Sequence, residues 1–565
     1  MTLILLAWVC ASVAAAAEPE SSVDLARKAI QAGEPERAVS ILKGSVADDP
    51  RTRSELATAL LAAGEVDEAF RTVGEKPTVP EGVRVLALVR ALRGETEEAL
   101  RLLEGPKLLT TRGRVLWRIF KTRSAIESLE RAGDAEAKNL LGRIYLYKGW
   151  ESEGAFPGWH EEPQYREQAI VAFLAAAAAS PDWFEPRLGL GQAFLYAGKP
   201  TEALAELDAA IERAPKTTGP RVGRFQALKL LGRLDAVRTE VAAAAGSEDP
   251  RLLEAARQGL ALLGDEPGAR AIAARLIEKF SSSEGAETAT AARIDAARKT
   301  KDTGVVLAES KAYLARYPYG ARRVAVYDAL LEAYQATPST PPEELIAAID
   351  GRLRSRPDPG AYVAGASLLA SRGVLFDRVV QLAEASVPLA EAFIDENRGA
   401  YKLSDKARGS LNRSRAAAID LIGWVSFLKK DLKAAEAKLT ESERLSRGQD
   451  FVNQFHLGEL CRARGDAARA SEYYLSALSL SAGPEPVRAS ARKALAALRG
   501  EDVSTFEAFL AAELARRQEV RRALAVRSLV DQPAPSIPMT DLSGKAIDIA
   551  ALRGKVLLLN FFASW

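Results

Sequence analysis

The sequence contains few of the cysteine and histidine residues that metalloenzymes and disulfide-stabilised proteins use. Its 565 residues include only two cysteines, Cys10 and Cys461, and two histidines, His160 and His456. Two cysteines exclude a disulfide framework, and neither histidine has a ligand-type neighbour at metal-binding spacing. We interpret the histidines as surface or packed side chains, and we predict no metal, nucleotide or flavin cofactor.

The sequence also lacks an excess of charge of either sign. Lys and Arg number 77 and Asp and Glu number 75, which gives a formal net charge of +2. This balance offers no electrostatic footprint for nucleic acid, so we predict no nucleic-acid partner. Aromatic residues make up only 7% of the chain. The abundance of Ala, Leu, Arg and Glu instead favours helix.

No stretch beyond the start of the sequence is long and apolar enough to span a membrane. The run from Leu3 to Ala17 is too short for an easy bilayer crossing, and Ala15-Ala16-Ala17 fits a small-x-small cleavage site. Residues 1–17 therefore resemble a signal peptide, although no Lys or Arg precedes the run. The alternative is a buried first helix. We expect an exported protein of the bacterial periplasm, associated with the membrane only through this signal.

The body of the chain repeats one helical-hairpin pattern, with its best copy between Trp183 and Pro215. Small residues would let two helices approach closely, larger residues fill the space beside them, a glycine makes the turn, and a proline stops the second helix. These signature positions are Leu190, Gly191, Phe194, Gly198, Ala203, Leu207, Ala210 and Pro215.

The same skeleton recurs near residues 139–181 and 451–482. The matching positions are Leu141, Gly142, Tyr145, Gly149, Ala169, Phe173, Ala176 and Pro181, and then Leu457, Gly458, Cys461, Gly465, Ala470, Tyr474 and Ala477. Cys461 thus occupies a core position, which predicts a buried and inert thiol. Looser copies fill the rest, so that we count roughly eleven or twelve hairpins. The pattern is least regular between residues 285 and 410.

This pattern resembles the tetratricopeptide repeat. The resemblance implies an all-α fold class, an α-solenoid of helical hairpins over residues 23–482, whose first helices line a groove for protein or peptide partners. For any single groove residue, the alternative is a merely solvated face. The candidate partner-binding residues are Asn139, Arg143, Tyr147, Leu188, Gln192, Tyr196, Glu459 and Arg462.

One insertion, residues 149–168, interrupts a copy between its two helices. It contains Trp150, Phe156, Trp159 and Tyr165 in a stretch rich in Gly, Pro and Glu. These aromatic residues could form a binding patch on an exposed loop. They could equally pack the loop back onto the solenoid, since ordering a loop costs entropy. The sequence leaves both interpretations open.

The pattern of residues 483–530 predicts two helices, at about 486–498 and 504–528, which would cap the solenoid. The second begins with Ser504 and has Glu507 three residues later, which is the pattern of a capping box.

The composition of the sequence changes from Asp531 onward. Three prolines suggest an extended linker, Gly544 marks the turn of a β-hairpin, and the apolar run Val556–Phe562 predicts a strand buried on both faces. This order of motifs resembles the start of the redoxin branch of the thioredoxin fold, with Phe562 in place of the usual Trp. The matching positions are Ala534, Pro535, Asp541, Gly544, Lys545, Leu552, Gly554, Lys555, Asn560, Phe561, Ala563 and Trp565.

The resemblance implies that residues 531–565 are an incomplete α/β thioredoxin-like segment. It further implies thiol–disulfide exchange or peroxide reduction by a cysteine that would follow Trp565. The N-terminus of a helix would favour the thiolate form of that cysteine. A redox partner protein is a further implied partner. The sequence contains no such catalytic cysteine, and we expect that it is cut before the catalytic motif. The alternative is a non-enzymatic partner-binding scaffold of the cell envelope.

Overall fold

A computed structural model describes residues 21–44, 49–147, 163–396, 405–481, 483–500 and 502–527, with the dipeptides 539–540 and 546–547. The chain divides into two compact units, residues 1–456 and 457–565. The expected signal peptide, the aromatic residues Trp150, Phe156 and Trp159, and the strand Val556–Phe562 lie outside the described residues. Those expectations therefore stay predictions.

The described helices follow one another through short turns. Helices α1 to α13 are Ser22–Gln31, Pro35–Lys43, Pro50–Ala62, Val66–Val73, Pro80–Arg93, Thr96–Leu102, Leu109–Arg118, Thr122–Ala132, Ala135–Leu146, Pro163–Ala179, Phe184–Tyr196, Pro200–Arg213 and Thr218–Leu230. Helices α14 to α28 are Leu234–Ala245, Pro250–Leu263, Glu266–Lys279, Glu284–Lys299, Thr303–Arg316, Arg323–Ala336, Pro342–Ser355, Pro359–Ser371, Phe376–Glu396, Asp405–Leu428, Leu432–Ser446, Phe451–Ala463, Ala467–Leu478, Glu485–Arg499 and Val503–Arg527. None of these described helices is long and apolar enough to cross a membrane.

In the first unit, helices α1 to α24 pair into twelve hairpins, and successive helices pack on one another. Small residues allow the close approach inside a hairpin, as predicted. A Cβ added at Gly142 would lie 2.6 Å from the ring of Phe173, and one added at Gly191 would lie 2.5 Å from Leu207. The helices of the first unit therefore form a tetratricopeptide-like repeat solenoid, and the described helices confirm the predicted all-α class for this part of the chain.

Most turns within a hairpin contain a residue with positive φ. Gly198, at φ 70°, supplies it in the best copy, but Phe120 (62°), Lys301 (58°) and Lys430 (65°) do so elsewhere. With the hairpin α25–α26 of the second unit, the described residues contain thirteen hairpins, so the count of eleven or twelve was too low.

The core runs between successive helices rather than gathering at one centre. In a typical cluster, Phe173 is fully buried between Leu146, Ala169, Leu190 and Ala193, which come from the helix before it, its own helix and the helix after it. Such nearest-neighbour packing is what stabilises a repeat protein.

The first unit adds contacts between hairpins that are far apart in sequence. The guanidinium of Arg118 donates to the carbonyl oxygen of Ser355 at 3.0 Å, and the rings of Phe120 and Phe393 have centroids 5.1 Å apart. Further contacts of this kind are Arg251 to the Gly33 carbonyl at 2.8 Å, Arg323 to the Leu92 carbonyl at 2.8 Å, and Tyr319 to Asp67 at 3.0 Å. We call this set the seam. It joins the first four hairpins to later ones directly.

The second unit is built in the same way at its start. Tyr474 is buried against Gly458, where an added Cβ would meet its ring at 2.5 Å, and the Cys461 thiol is buried as predicted. Helices α27 and α28 follow at the predicted positions. Near the end, β1 (Met539–Thr540) pairs antiparallel with β2 (Ala546–Ile547), which confirms the predicted hairpin.

The predicted capping box of α28 is wrong. The cap is Asp502, whose Oδ1 accepts from the backbone N–H groups of Ser504 at 2.9 Å and Thr505 at 3.1 Å. These donors and the two hydroxyls hold the pKa of Asp502 far below its usual range. Glu507 instead pairs with Arg492, because an aspartate two residues upstream already satisfies the first turn.

Candidate partner-binding surface

The first helices α9 and α11 lie side by side, and they bring together five of the residues predicted for the groove. Arg143 Nη1 lies 3.3 Å from Glu185 Oε2, and the Tyr147 hydroxyl donates to Gln192 Oε1 at 3.1 Å. The ring of Tyr147 also meets that of Tyr196 edge-on, with centroids 6.2 Å apart. Side chains predicted from separate repeats thus lie on two neighbouring helices that contact each other through them.

Most of this cluster stays partly exposed. Arg143, Tyr147, Leu188, Gln192 and Tyr196 are all half-buried, so that a partner could reach them.

Asn139 is the exception, and its prediction as an exposed groove residue was wrong. Only 2% of Asn139 is exposed, because Glu185 from the next first helix accepts a hydrogen bond from its Nδ2 at 3.2 Å. Asn139 therefore supports the surface from beneath.

Arginines and glutamates form ion pairs between the first helices of earlier hairpins as well. Arg84 on α5 lies 2.8 Å from Glu136 Oε2, and Arg114 on α7 lies 3.1 Å from Glu136 Oε1. Arg143 and Glu185 repeat this arrangement one hairpin later. Both glutamates lie in the first turn of their helices, where the helix dipole stabilises a carboxylate. The result is a charge ladder of three arginines and two glutamates.

The two groove residues predicted in the second unit have different roles. Glu459 is largely buried, with 12% of its side chain exposed, and it accepts from the Tyr474 hydroxyl at 2.6 Å. Burial, together with Glu459, raises the pKa of Tyr474 well above its usual value. Arg462 pairs with Glu459 at 2.5 Å but keeps 52% of its side chain exposed. Only Arg462 is open to a partner.

Sequence reasoning missed an aromatic cluster on α23 and α25. The rings of Trp424 and Phe427 stack with centroids 4.9 Å apart, and Phe455 lies 6.4 Å from Trp424. All three are half-buried. The repeat pattern could have revealed these residues. When Gly423 is aligned with Gly191, Trp424 takes the position of Gln192. When Gly458 is aligned with Gly191, Phe455 takes the position of Leu188.

A buried polar pair holds this aromatic cluster. His456 is a packed side chain, and its ring stacks on Trp424 at 3.9 Å with an interplanar angle of 7°. Its Nδ1 lies 2.7 Å from Asp420 Oδ2, while Asn453 Nδ2 donates to Asp420 Oδ1 at 2.9 Å. Asp420 and His456 are each under a tenth exposed. The pair fixes the orientation of Trp424 rather than offering a free catalytic group.

The predicted aromatic patch of the insertion does not include Tyr165. This residue belongs to α10, is 5% exposed, and packs in a core cluster with Leu140 and Leu141. It was assigned to the loop, whereas α10 begins as early as Pro163 and includes it.

No protein-family model matches the chain, and no curated protein matches it. Among solved structures, it is similar to the crystal structure of the APC/C hetero-tetramer Cut9-Hcn1, with 12% identity over 84% of this chain and 97% of that chain and a TM-score of 0.29. It is also similar to the crystal structure of yeast Tom70, with 11% identity over 86% of this chain and 98% of that chain and a TM-score of 0.27. The fold assignment rests on the hairpins and contacts described above.

Proposed function

We propose that this chain is a scaffold that binds protein partners on the first-helix face of its hairpins. The observation that carries this proposal is the contact cluster of Arg143, Tyr147, Gln192 and Tyr196, which is partly exposed and already ordered by its own contacts. A surface ordered in advance loses little side-chain entropy on binding. Its mixed polar and aromatic groups suit an extended peptide or a partner helix.

The charge ladder indicates what kind of segment would bind. Arg84 and Arg114 share Glu136, and Arg143 pairs with Glu185. A strongly acidic partner would meet the two glutamates and a strongly basic one the three arginines, whereas a segment with both signs can pair with each. We infer a partner segment of mixed charge.

The aromatic cluster of Trp424, Phe427 and Phe455 offers a second contact point for such a partner. Aromatic side chains in a desolvated setting are typical binding hot spots. We propose that an apolar side chain of the partner packs there.

We also propose that residues 531–565 begin a thioredoxin-like domain, which would add thiol–disulfide exchange or peroxide reduction to the scaffold. Support comes from the order of the redoxin-type motifs around Gly544 and Asn560, and from the antiparallel pairing of Met539–Thr540 with Ala546–Ile547. Sequencing the gene beyond codon 565 tests this proposal. A cysteine within the next few codons is expected, and its absence would leave the non-enzymatic scaffold of the envelope as the better account.

Export to the periplasm is proposed from residues 1–17. The test is expression of a C-terminally tagged chain in a bacterial host, followed by fractionation and N-terminal sequencing. A periplasmic product that begins at Glu18 is expected. An unprocessed cytoplasmic product would contradict the proposal.

Partner binding is tested by affinity capture from a periplasmic extract, with mass spectrometry of the captured proteins. The groove variant combines Gln192→Ala with Tyr196→Ala. Its matched control combines Glu202→Ala with Glu212→Ala, two exposed residues on the second helix α12. Proteins that the wild type and the control retain but the groove variant loses are partners. If no protein shows this pattern, the proposal fails.

A further inference from the structure

A cavity of about 800 Å³ lies beside the seam of the first unit. Helix α6 and the turn between α7 and α8 form one part of its wall, and the later helices α20 and α22 form another. Ile119, which lines it, lies between Arg118 and Phe120, two residues of the seam. Small-molecule sites usually have volumes of about 300–1,000 Å³, so this cavity is large enough to hold a ligand.

The cavity wall has a large apolar part. Its main apolar side chains are those of Leu100, Ile119, Leu353, Tyr362, Leu382 and Leu389. Leu382 is buried, and the other five are half-buried. Burial raises the pKa of the Tyr362 hydroxyl, so this group stays neutral at ordinary pH. A ligand that covers this part of the wall gains most if its own body is apolar.

The cavity also has charged groups of both signs. The charged residues in its wall are Glu97, Glu98, Lys121, Asp350, Arg354 and Arg378. All three acidic residues already have cationic partners. Asp350 pairs with Arg378, and the carboxylates of Glu97 and Glu98 lie 4.0 and 3.9 Å from the guanidinium nitrogens of Arg101.

Lys121 and Arg354 are different. Both are exposed, and neither side chain forms an ion pair or a hydrogen bond with another described residue. The backbone of Arg354 is held in place by Gly94, since a Cβ added at Gly94 would lie 2.9 Å from the Arg354 carbonyl oxygen. With Arg101 included, four cations face three carboxylates, so the charge that remains unmatched at the cavity is positive.

We propose that this cavity binds a small organic anion with an apolar body, such as a medium-chain carboxylate. The anionic group pairs with Lys121 and Arg354, and the apolar body packs against the leucine side chains of the wall. The residues of the Tyr147 cluster do not line this cavity. Ligand binding here therefore goes beyond the proposed partner binding and does not depend on it.

The test is isothermal titration calorimetry of the full chain with decanoate. One decanoate is expected to bind per chain in a saturable manner. Decyltrimethylammonium has an apolar chain of the same length and the opposite charge. It is expected to bind at least tenfold more weakly, because its cationic group would meet Lys121 and Arg354.

A charge variant locates the anionic group of the ligand. Lys121→Gln combined with Arg354→Gln should weaken decanoate binding about tenfold, since both cations without a partner are lost. The matched control is Lys199→Gln combined with Arg233→Gln. It makes the same change in net charge at exposed residues of other turns, and it should bind decanoate like the wild type.

A steric variant locates the apolar body of the ligand. Ala385 is exposed on α22 and lines the cavity. Ala385→Trp should fill the cavity and abolish decanoate binding while the unfolding temperature stays near that of the wild type. The matched control is Ala364→Trp, because Ala364 is exposed on α21 and does not line the cavity. This control should bind decanoate normally.

Four results would overturn the proposal. The first is the absence of saturable decanoate binding. The second is equally tight binding of decyltrimethylammonium, which would mean that only the apolar chain is recognised. The third is equal weakening by the charge variant and its control, which would mean a general charge attraction. The fourth is unchanged binding in Ala385→Trp, which would place the ligand elsewhere. If the charge variant fails to fold, the comparison of the two probes still decides whether the site selects an anion.

Discussion

The hydroxyl of Tyr147, at the end of α9, donates a hydrogen bond to Gln192 Oε1 on α11 at 3.1 Å. The same tyrosine ring meets Tyr196, one turn further along α11, edge-on at 6.2 Å. Two successive first helices therefore hold each other's outward side chains in place. A partner would meet an ordered surface whose geometry depends on the packing between hairpins.

That packing depends on glycine where a first helix crosses a second helix. Gly142→Ala should destabilise the protein by about 1–3 kcal/mol, because the new Cβ would lie 2.6 Å from the buried ring of Phe173. The measurement is chemical denaturation followed by circular dichroism.

Gly409→Ala is the matched control for Gly142→Ala. Gly409 also lies within a helix, but its added Cβ would meet only the flexible end of Arg413 at 3.4 Å. Helix propensity should make this change neutral or stabilising by up to about 1 kcal/mol. Equal destabilisation by the two substitutions would contradict the close-approach explanation.

The seam should connect the stability of early and late hairpins. Phe393→Ala, on α22, removes a ring that is 6% exposed and lies 5.1 Å from Phe120. We expect a loss of about 3–5 kcal/mol, together with faster amide hydrogen exchange around Phe120 in the α7–α8 turn.

Leu375→Ala is the control, because Leu375 is 41% exposed just before α22. It should cost under about 1 kcal/mol and leave exchange around Phe120 unchanged. If Phe393→Ala left that exchange unchanged as well, the seam would not contribute to stability.

Asp67 gives the seam a dependence on pH. Its carboxylate accepts from Arg93 at 2.7 Å and from Tyr319 at 3.0 Å, and the Arg93 hydrogen bond in particular lowers the pKa of Asp67. A lowered pKa means that the contribution to stability is present above the unfolded value of about 3.9 and is lost as the pH falls below it.

Asp67→Asn should therefore lower stability at pH 7 by less than about 1 kcal/mol, since the pair is largely exposed and screened by solvent. The difference between the variant and the wild type should disappear below pH ~3. Thermal unfolding of both proteins across this range measures it. A difference that persists or grows at low pH would contradict the assigned role.

Much of the fold follows from the sequence because the small and large positions of each hairpin are local patterns. The repeat pattern predicted the contact between Gly191 and Leu207. It also predicted that Cys461 lies in the core, where it is found. Phe120 takes the same positive φ as the turn glycines, and the sequence carries no signal for it.

The candidate surface was predictable in position but not in detail. The repeat register placed Tyr147 and Gln192 on one face, but it could not show that Glu185 would bury Asn139. The seam was beyond prediction, because the contact between Arg118 and Ser355 depends on how successive hairpins rotate, and no local pattern encodes that rotation.

The central claim is that the cluster around Tyr147 and Gln192 binds protein partners. The most direct measurement is the affinity of a captured partner for the full chain by isothermal titration calorimetry. Gln192→Ala combined with Tyr196→Ala should weaken binding about tenfold or more while the unfolding temperature stays near that of the wild type. The outer-face control, Glu202→Ala with Glu212→Ala, should bind like the wild type. Equal affinity of the groove variant and the wild type would contradict the account.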